Sequence, residues 1–284
     1  MPKPDLPQLH AQLLASAPLV QAITNTVVQQ FSANVLLAMG ASPAMFDHEA
    51  DAARFTDVAD ALLVNFGTAT NQQLLAADVA MDAAGDGNTP WVLDPVSVGA
   101  GDFRTRKIRQ ALARHPGVLR GNASEILILS GQGAGARGVD AVDEVDAALP
   151  AALELARGSA SVVAVSGRSD AVVAVFDDHV RVARIAGGHA LMTRVVGTGC
   201  ALGAAVAAYL GAAARGGRSL GAYFDATVVA HAHFALAGSR AGQRAAAPGS
   251  FAAAFLDSLY ALQSDDFTQA QVHVETRSLG AARP

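Results

Sequence analysis

Residues 194–203 contain a predicted helix start, and the only cysteine in the chain lies within it. They read Arg-Val-Val-Gly-Thr-Gly-Cys-Ala-Leu-Gly, and an apolar, alanine-rich run continues to residue 214. Strong helix formers without proline predict a helix that begins near Thr198 or Gly199. Glycines there let a ligand approach the backbone, where free N–H groups and the helix dipole favour an anion. Residues 197–200 are therefore a candidate cradle for an oxyanion or phosphate, with a tight turn as the alternative.

Two acidic residues follow predicted strands and can hold a cation. Asp94 ends the predicted strand 91–94, and Glu125 is the third residue after Asn122 at a predicted helix start. Mg²⁺ keeps several waters and takes few carboxylates, so two acids at one sheet edge suit it. The structural alternatives are an Asp-Pro turn at Asp94 and a capping box between Glu125 and Asn122 or Ser124.

Further polar side chains stand at strand ends, where open α/β sheets bind their ligands. Asn25 follows the predicted strand 19–24, and the alternative is that Asn25 or Thr26 only caps the next helix. Arg120 can contact a nucleotide phosphate, with a solvated surface charge as the alternative. Ser166 can bind a phosphate oxygen, with a simple hairpin turn as the alternative.

His231 and His233 are two residues apart within a predicted helix. They therefore do not share a face as histidine ligands four residues apart would. We expect both to pack in the interior or to lie on the surface.

Strand-like and helix-like segments alternate along most of the chain. The predicted strands are 19–24, 42–46, 61–65, 91–94, 117–122 and 161–166, then a hairpin of 171–176 with 179–185, and a weak strand or coil at 271–275. The predicted helices are 6–17, 27–39, 49–58 capped by Asp47, 70–84, 139–157, 201–214, 219–243 and 251–263. This alternation predicts an α/β fold whose parallel sheet is flanked by helices through right-handed connections.

Composition limits the class of protein and its partners. The chain has 284 residues, of which 51% are hydrophobic and 16% charged, enough for a large core. A net charge of −5 without a basic block disfavours nucleic acid or an anionic membrane as a partner. We see no signal peptide, no spanning apolar run and one cysteine, which predict a cytoplasmic protein without an internal disulfide. No linker or repeat is visible, which predicts one domain over residues 1–284.

Six short motifs occur in a fixed order along the chain. They are Ile23-Thr-Asn25, Ser42-Pro-Ala-Met45, Asp94-Pro-Val, Arg120-Gly-Asn-Ala-Ser-Glu125, Ser166-Gly-x-x-Asp170 and Gly197-Thr-Gly-Cys200. In this order and spacing they resemble the hydroxyethylthiazole kinase family of the ribokinase-like superfamily. The resemblance extends from about residue 5 to residue 265. Cys200 is the most telling match, because most ribokinase-like kinases carry aspartate there.

The resemblance implies an activity, a cofactor and an assembly. The reaction is the transfer of a phosphoryl group from ATP to the primary hydroxyl of 4-methyl-5-(2-hydroxyethyl)thiazole, a salvage step towards thiamine. The resemblance also implies Mg²⁺, a three-layer α/β/α architecture with a mainly parallel central sheet, and a homotrimer whose active sites lie between subunits.

The resemblance also implies roles for the candidate residues. Met45 and Asn25 fall in the substrate region, and Gly197 lies near both the substrate and the anion hole. The remaining assignments are ATP contacts by Arg120, Ser166 and Asn122, the magnesium and phosphate region at Asp94 and Glu125, and an anion hole at Gly197, Thr198 and Gly199.

The role of Cys200 needs separate treatment, because a thiol is a weaker base than the aspartate it replaces. A thiol with a pKa of about 8.5 is only a few per cent ionised near pH 7. The helix start lowers this pKa and a bound phosphate opposes ionisation. In a loose transition state the alcohol proton can leave late. Our hypothesis is that Cys200 orients the hydroxyl and contributes modestly as a base.

Three other functions compete with this hypothesis. The first is another ribokinase-like kinase, acting on hydroxymethylpyrimidine or a sugar. The second is an ATP-dependent dehydratase of hydrated nicotinamide nucleotides, and the third is a nucleotide-binding regulator without catalysis. Cys200 in place of aspartate disfavours the first two, and the retained acids Asp94 and Glu125 disfavour the third.

Overall fold

One sheet forms the middle of the computed structural model, which describes residues 3–132 and 144–279. Its strands are β1 Leu19–Ile23, β2 Ser42–Ala44, β3 Ala61–Asn65, β4 Trp91–Asp94, β5 Val118–Asn122, β6 Val162–Ser166, β7 Ser169–Val175, β8 His179–Ala186 and β9 Gln271–Ser278. Their order in the sheet is β2-β1-β3-β4-β5-β6-β7-β8-β9. Neighbouring strands pair in parallel from β2 to β6 and antiparallel from β6 to β9.

Helices cover both faces of this sheet. They are α1 Leu6–Ser16, α2 Gln29–Ala38, α3 Glu49–Thr56, α4 Asn71–Gly87, α5 Asp102–Leu112, α6 Ala123–Leu129, α7 Glu144–Ser159, α8 Thr198–Ala214, α9 Leu220–Arg244 and α10 Pro248–Ala261. Helices α1, α2, α8, α9 and α10 build one buried apolar cluster with the sheet, and α3 to α7 build the other. The predicted α/β/α layering and the mainly parallel sheet are confirmed.

The predicted elements match the structure closely, with a few corrections. The predicted strands at 61–65 and 91–94 coincide with β3 and β4, and the weak strand at 271–275 is the longer edge strand β9. Helix α5 was not predicted. The predicted helix 139–157 is described from Glu144 onwards, and its first five residues lie outside the described part of the chain.

The predicted cap of α3 by Asp47 is wrong. His48 is the N-cap residue instead, and its Nδ1 accepts a hydrogen bond from the backbone N–H of Ala50. The Asp47 carboxylate accepts from the side-chain amides of Gln29 and Gln73, so it joins α2 and α4 and does not close the end of α3.

Helix α8 lies unusually close to the sheet, because its inner face carries small residues. Every residue from 201 to 212 is buried. A Cβ built on Gly203 would lie 3.2 Å from Oδ2 of Asp94, and one built on Gly211 would lie 3.0 Å from Cβ of Asp60. The helix therefore rests directly on the ends of β3 and β4.

A search of the described helices for a membrane span finds none of sufficient length and apolar character.

Candidate active site

The carboxyl ends of the parallel strands meet at one edge of the sheet. A polar residue stands at or just after each of the strands β1, β3, β4, β5 and β6, and in that order these residues are Asn25, Asn65, Asp94, Asn122 and Ser166. Because the strands are neighbours in the sheet, the structure places their terminal side chains in one row. This is the edge at which α/β folds of this kind bind ligands.

The start of α8 lies against this row. Its N-cap residue is Gly197, with a φ of +93° that favours glycine, and no side chain caps the helix. The Thr198 hydroxyl donates back to the carbonyl oxygens of Met192 and Val195, so it does not occupy the first-turn amides. Free first-turn N–H groups at a helix start are suited to bind an anion.

One end of the row carries groups suited to an alcohol. The Asn25 side-chain amide donates to Sγ of Cys200 over 3.4 Å and to Oδ1 of Asn65 over 2.9 Å. Cys200 lies in the first turn of α8 and is partly buried, whereas Asn25 is buried. A small hydroxyl compound placed here meets a thiol, an amide and the backbone of Gly197.

The other end carries groups suited to phosphates. Ser166 Oγ accepts from Arg120 Nη2 over 2.7 Å and from Nε over 3.2 Å. Arg120 is buried, and its Nη1 lies 3.5 Å from Oδ2 of Asp94. A Cβ built on Gly199 would lie 3.7 Å from Nη2 of Arg120. The guanidinium therefore lies beside the glycines of the helix start, where it adds positive charge to the cradle.

Asp94 is the most perturbed acid of the site. Burial raises the pKa of its carboxyl from 3.8 to about 7, against the lowering effect of Arg120, and the charge of Glu125 raises it further. Its Oδ2 accepts from Asn65 over 2.9 Å, while its buried Oδ1 has no hydrogen-bond partner among the described residues. An unsatisfied buried carboxylate oxygen is a position where a cation would bind favourably.

Glu125 forms the capping box of α6 and also acts on Asp94 through its charge. Its Oε2 accepts from the backbone N–H of Asn122 and its backbone N–H donates to Oδ1 of Asn122, so the capping box is present. Its charge nevertheless reaches Asp94. Among the described residues, no group of three or more histidine, cysteine, aspartate or glutamate side chains is arranged around a common metal position. Two carboxylates with bound phosphate oxygens and water fit Mg²⁺, which takes few protein ligands.

Cys200 is held as a neutral thiol. Burial raises the pKa of its thiol above the ordinary value, and the charge of Asp94 raises it further, against the smaller lowering effects of Asn65, Arg120 and Asn25. A neutral thiol donates or accepts a hydrogen bond but is not a strong base near pH 7.

Two of the predicted site residues make no side-chain hydrogen bond to Asn25, Asn65, Asp94, Arg120, Ser166 or Cys200 among the described residues. Met45 follows β2, the edge strand, and is partly buried against the cluster that contains α8. Asn122 is exposed, and its side-chain oxygen is engaged in the capping box. Both lie at the same sheet edge as the other candidates.

Asn65 is the buried residue that sequence reasoning missed. It ends β3 directly opposite Asp94 of β4 in the strand register, and its amide contacts both Asn25 and Asp94. The sequence signal that could have identified Asn65 is a polar residue at the end of an otherwise apolar strand.

The predicted packing role of the two α9 histidines is confirmed, since both are buried. His231 Nδ1 lies 2.7 Å from Oδ2 of Asp170, whose Oδ1 accepts from the backbone N–H of Gly167. His233 Nδ1 lies 3.0 Å from the Tyr209 hydroxyl. His231 thus supports the turn that follows Ser166.

A cavity of about 390 Å³ opens at this sheet edge beside α5. Phe66, Leu74 and Phe103 are among its lining residues, and none of the predicted site residues lines it. It is a feature separate from the row of polar contacts.

Solved structures share the architecture of this chain. A ribokinase-like superfamily protein from Enterococcus faecalis shares the fold with a TM-score of 0.59 over 88% of each chain, at 12% sequence identity. At this identity the likeness concerns the fold alone. The chain therefore has a ribokinase-like fold, with a buried acid and an uncapped helix start at the carboxyl ends of its strands.

The chain belongs to the hydroxyethylthiazole kinase family, whose model matches residues 10–265. A hydroxyethylthiazole kinase from Corynebacterium glutamicum (strain R) is 49% identical over 86% of this chain and 89% of its own length. The structure of a hydroxyethylthiazole kinase from Pyrococcus horikoshii OT3 aligns with a TM-score of 0.83 and 32% identity, covering 95% of this chain and 98% of that one. The resemblance found in the sequence motifs is confirmed.

Proposed function

We propose that this chain transfers the γ-phosphoryl group of ATP to the primary hydroxyl of 4-methyl-5-(2-hydroxyethyl)thiazole, a salvage step towards thiamine. The observation that carries the proposal is the row of contacts from Cys200 through Asp94 to Ser166, beside the uncapped start of α8. In this row, groups suited to an alcohol and groups suited to phosphates lie a few side chains apart, which supports the proposal. Membership of the family supplies the identity of the alcohol.

At the alcohol end, Met45, Asn25 and the Gly197 backbone hold the thiazole. The neutral Cys200 thiol orients the hydroxyl towards the γ-phosphate. Because phosphoryl transfer passes through a loose transition state, the hydroxyl proton leaves late and a strong base is unnecessary. Correct alignment of the two reactants can contribute about 7–11 kcal/mol.

At the phosphate end, Arg120, Ser166 and Asn122 contact ATP, and the backbone N–H groups of Gly197, Thr198 and Gly199 receive the transferred group. Asp94 and Glu125 would hold Mg²⁺. The ion supplies charge neutralisation on the phosphate oxygens when it is bound. The protein adds fixed N–H donors and a guanidinium at the position where negative charge develops.

A coupled assay of ADP release with Mg-ATP and the thiazole tests the function, with mass spectrometry of the product. We expect one phosphoryl group on the thiazole and no turnover without Mg²⁺. ADP release only with hydroxymethylpyrimidine or a sugar would retain a kinase and discard this substrate. Release of free phosphate with hydrated nicotinamide nucleotides would indicate the dehydratase, and no release with any alcohol would indicate the regulator.

Substitution of Cys200 tests the role of its thiol. We expect Cys200→Ala to lower kcat about tenfold, because the hydroxyl loses its orienting partner, which is less than the loss of a full general base would cost. Cys200→Ser keeps a small polar group, so we expect a smaller decrease in kcat for this variant. Steady-state kinetics with the thiazole provide the measurement, and full turnover by both variants would show that the thiol has no such role.

We propose that three copies of the chain assemble with active sites between subunits. Exposed apolar side chains flank the cradle at Val27 and Val196, where a neighbouring subunit would cover them. Val28, next to Val27, contacts the position of Gly197 closely, so such a neighbour would lie beside the site. Sedimentation velocity of the purified chain measures the mass of the assembly directly.

We also propose that residues 1–284 form one domain and that the protein acts in the cytoplasm. All nine strands of the described residues belong to one sheet, which supports a single domain. The proposed reaction uses ATP, which the cytoplasm supplies.

A further inference from the structure

Asn65 joins the two halves of the proposed active site. It is the last residue of β3 and is only 4% exposed. In the parallel register it stands opposite Asp94, and it is the residue between Asn25 and Asp94 in the row of contacts.

The side-chain amide of Asn65 donates a hydrogen bond from its nitrogen and accepts hydrogen bonds at its oxygen. Nδ2 donates to Oδ2 of Asp94 over 2.9 Å, towards the phosphate half. Oδ1 accepts from Nδ2 of Asn25 over 2.9 Å and from the backbone N–H of Gly67 over 3.0 Å, towards the alcohol half. An amide provides this donor and acceptor pair, whereas a carboxylate accepts at both ends and leucine provides neither.

The contact on the phosphate side fixes the orientation of the Asp94 carboxylate. Asn65 and Arg120 both donate to Oδ2, which leaves the buried Oδ1 without a partner among the described side and main chains. The carboxylate is therefore held with one oxygen turned towards the position of a cation. Loss of the Asn65 amide would free the carboxylate to rotate, since Arg120 contacts it at 3.5 Å only.

The contact on the alcohol side fixes Asn25. Of the two hydrogens on Nδ2 of Asn25, one is directed at Asn65 and the other at Cys200. A Cβ built on Gly67 would lie 2.7 Å from Nδ2 of Asn25, so the Gly67 backbone, also held by Asn65, lies close to the same amide. The orientation of the Asn25 amide, and with it the contact to the thiol, therefore depends on Asn65.

We propose that Asn65 is a positioning residue that sets the alcohol-binding amide and the metal-binding carboxylate in one fixed arrangement. This inference rests on the proposed function, because it assigns an alcohol to one side and Mg-ATP to the other. Outer partners that orient a metal-binding side chain typically contribute 10- to 100-fold to metal affinity or activity. Small displacements of aligned reactants have similar effects on kcat.

The test compares Asn65→Leu and Asn65→Asp with wild type and with Ser161→Ala. Ser161 is also a buried polar residue that makes two hydrogen bonds, but it lies next to the amino end of β6, at the opposite edge of the sheet. We expect both Asn65 variants to lower kcat about 100-fold and to raise the KM for Mg-ATP about tenfold, because the carboxylate that would hold the metal loses its orientation while Arg120 and Ser166 still contact the nucleotide. Ser161→Ala should keep kcat and KM close to wild type.

A second experiment measures the affinity of the site for a metal ion in the absence of turnover. Mn²⁺ binding is followed by electron paramagnetic resonance in the presence of a non-hydrolysable ATP analogue and without thiazole. We expect at least tenfold weaker Mn²⁺ binding by Asn65→Leu and wild-type binding by Ser161→Ala. Since no alcohol is present, this result stands even if the chain phosphorylates a different substrate.

Two outcomes decide against the proposal. Folded Asn65→Leu protein with kcat and Mn²⁺ affinity within threefold of wild type would overturn it. An equal loss of activity by Ser161→Ala would also overturn it, because the effect would then follow from any lost buried hydrogen bond. If Asn65→Leu fails to fold, Asn65→Ala, which leaves room for water at the same groups, decides by the same two measurements.

Discussion

Replacing Gly197 with alanine should lower kcat/KM for the thiazole reaction at least 100-fold. The φ of +93° is unfavourable for any residue with a Cβ, and the added carbon would lie 2.8 Å from Cγ1 of Val28 and 3.2 Å from Cδ1 of Phe31. The helix start must shift to relieve these contacts. Removal of one N–H donor from an oxyanion site commonly costs about 10²–10³ in rate, and this shift would misplace adjacent donors together.

Gly217 is the matched control for this substitution. It also has a positive φ, of +131°, but among the described residues no heavy atom beyond its neighbours lies within 4 Å of a Cβ built there. Gly217→Ala should therefore carry the backbone strain without the clash and keep its activity. Steady-state kinetics and thermal melting of both variants provide the comparison. Equal activity in Gly197→Ala and Gly217→Ala would show that the helix start does not hold the transferred group.

Acidification below pH 6.5 should destabilise the folded chain through two buried histidines. Burial lowers the pKa of His10 from 6.5 to about 4, partly offset by Asp266, and burial and His10 together lower that of His233 to about 3. The unfolded chain therefore binds protons at a higher pH than the folded chain does. The stabilisation is complete above pH 6.5 and is lost as the pH falls towards 4, by about 3 kcal/mol for His10 alone at pH 4.

Urea unfolding at pH 7.5, 6.0 and 4.5 measures this loss. His10→Phe keeps an aromatic ring against Phe267, with which His10 stacks at 4.4 Å, but removes the proton-binding site. We expect the free energy of unfolding of this variant to fall about 2–3 kcal/mol less between pH 7.5 and 4.5 than that of wild type. His273→Gln, which changes an exposed histidine, is the control and should follow wild type. The same pH dependence in all three chains would contradict the prediction.

Much of the fold was predictable because the strands are short apolar runs with polar ends. The runs that became β3 and β4 end at Asn65 and Asp94, and their bounds were predicted without error. The overlooked helix α5 has a weak signal. Four of its eleven residues are arginine or lysine, and only Ile108 and Ala111 are buried, so its apolar face is narrow.

Several residues of the candidate site were predictable from the sequence, but the contacts that connect them were not. Strand ends and a glycine-rich helix start could be located by residue type, which is why Asp94, Arg120 and Cys200 were chosen as candidates. The role of Asn65 depends on the register that sets it opposite Asp94, and register is a property of the assembled sheet. Burial raises the pKa of the Cys200 thiol, and burial is a property of the assembled fold that the sequence motif does not reveal.

The close seating of α8 on the sheet has a mechanical consequence. Gly203 lies against the side chains of Asp94 and Leu63, and Gly211 lies against Asp60, so no side chain of the helix separates it from the sheet at these two points. We therefore expect the helix that carries the cradle and the strand that carries the carboxylate to move together. An opening that admits a substrate or releases a product would then pivot elsewhere, and the spacing between cradle and carboxylate would stay constant.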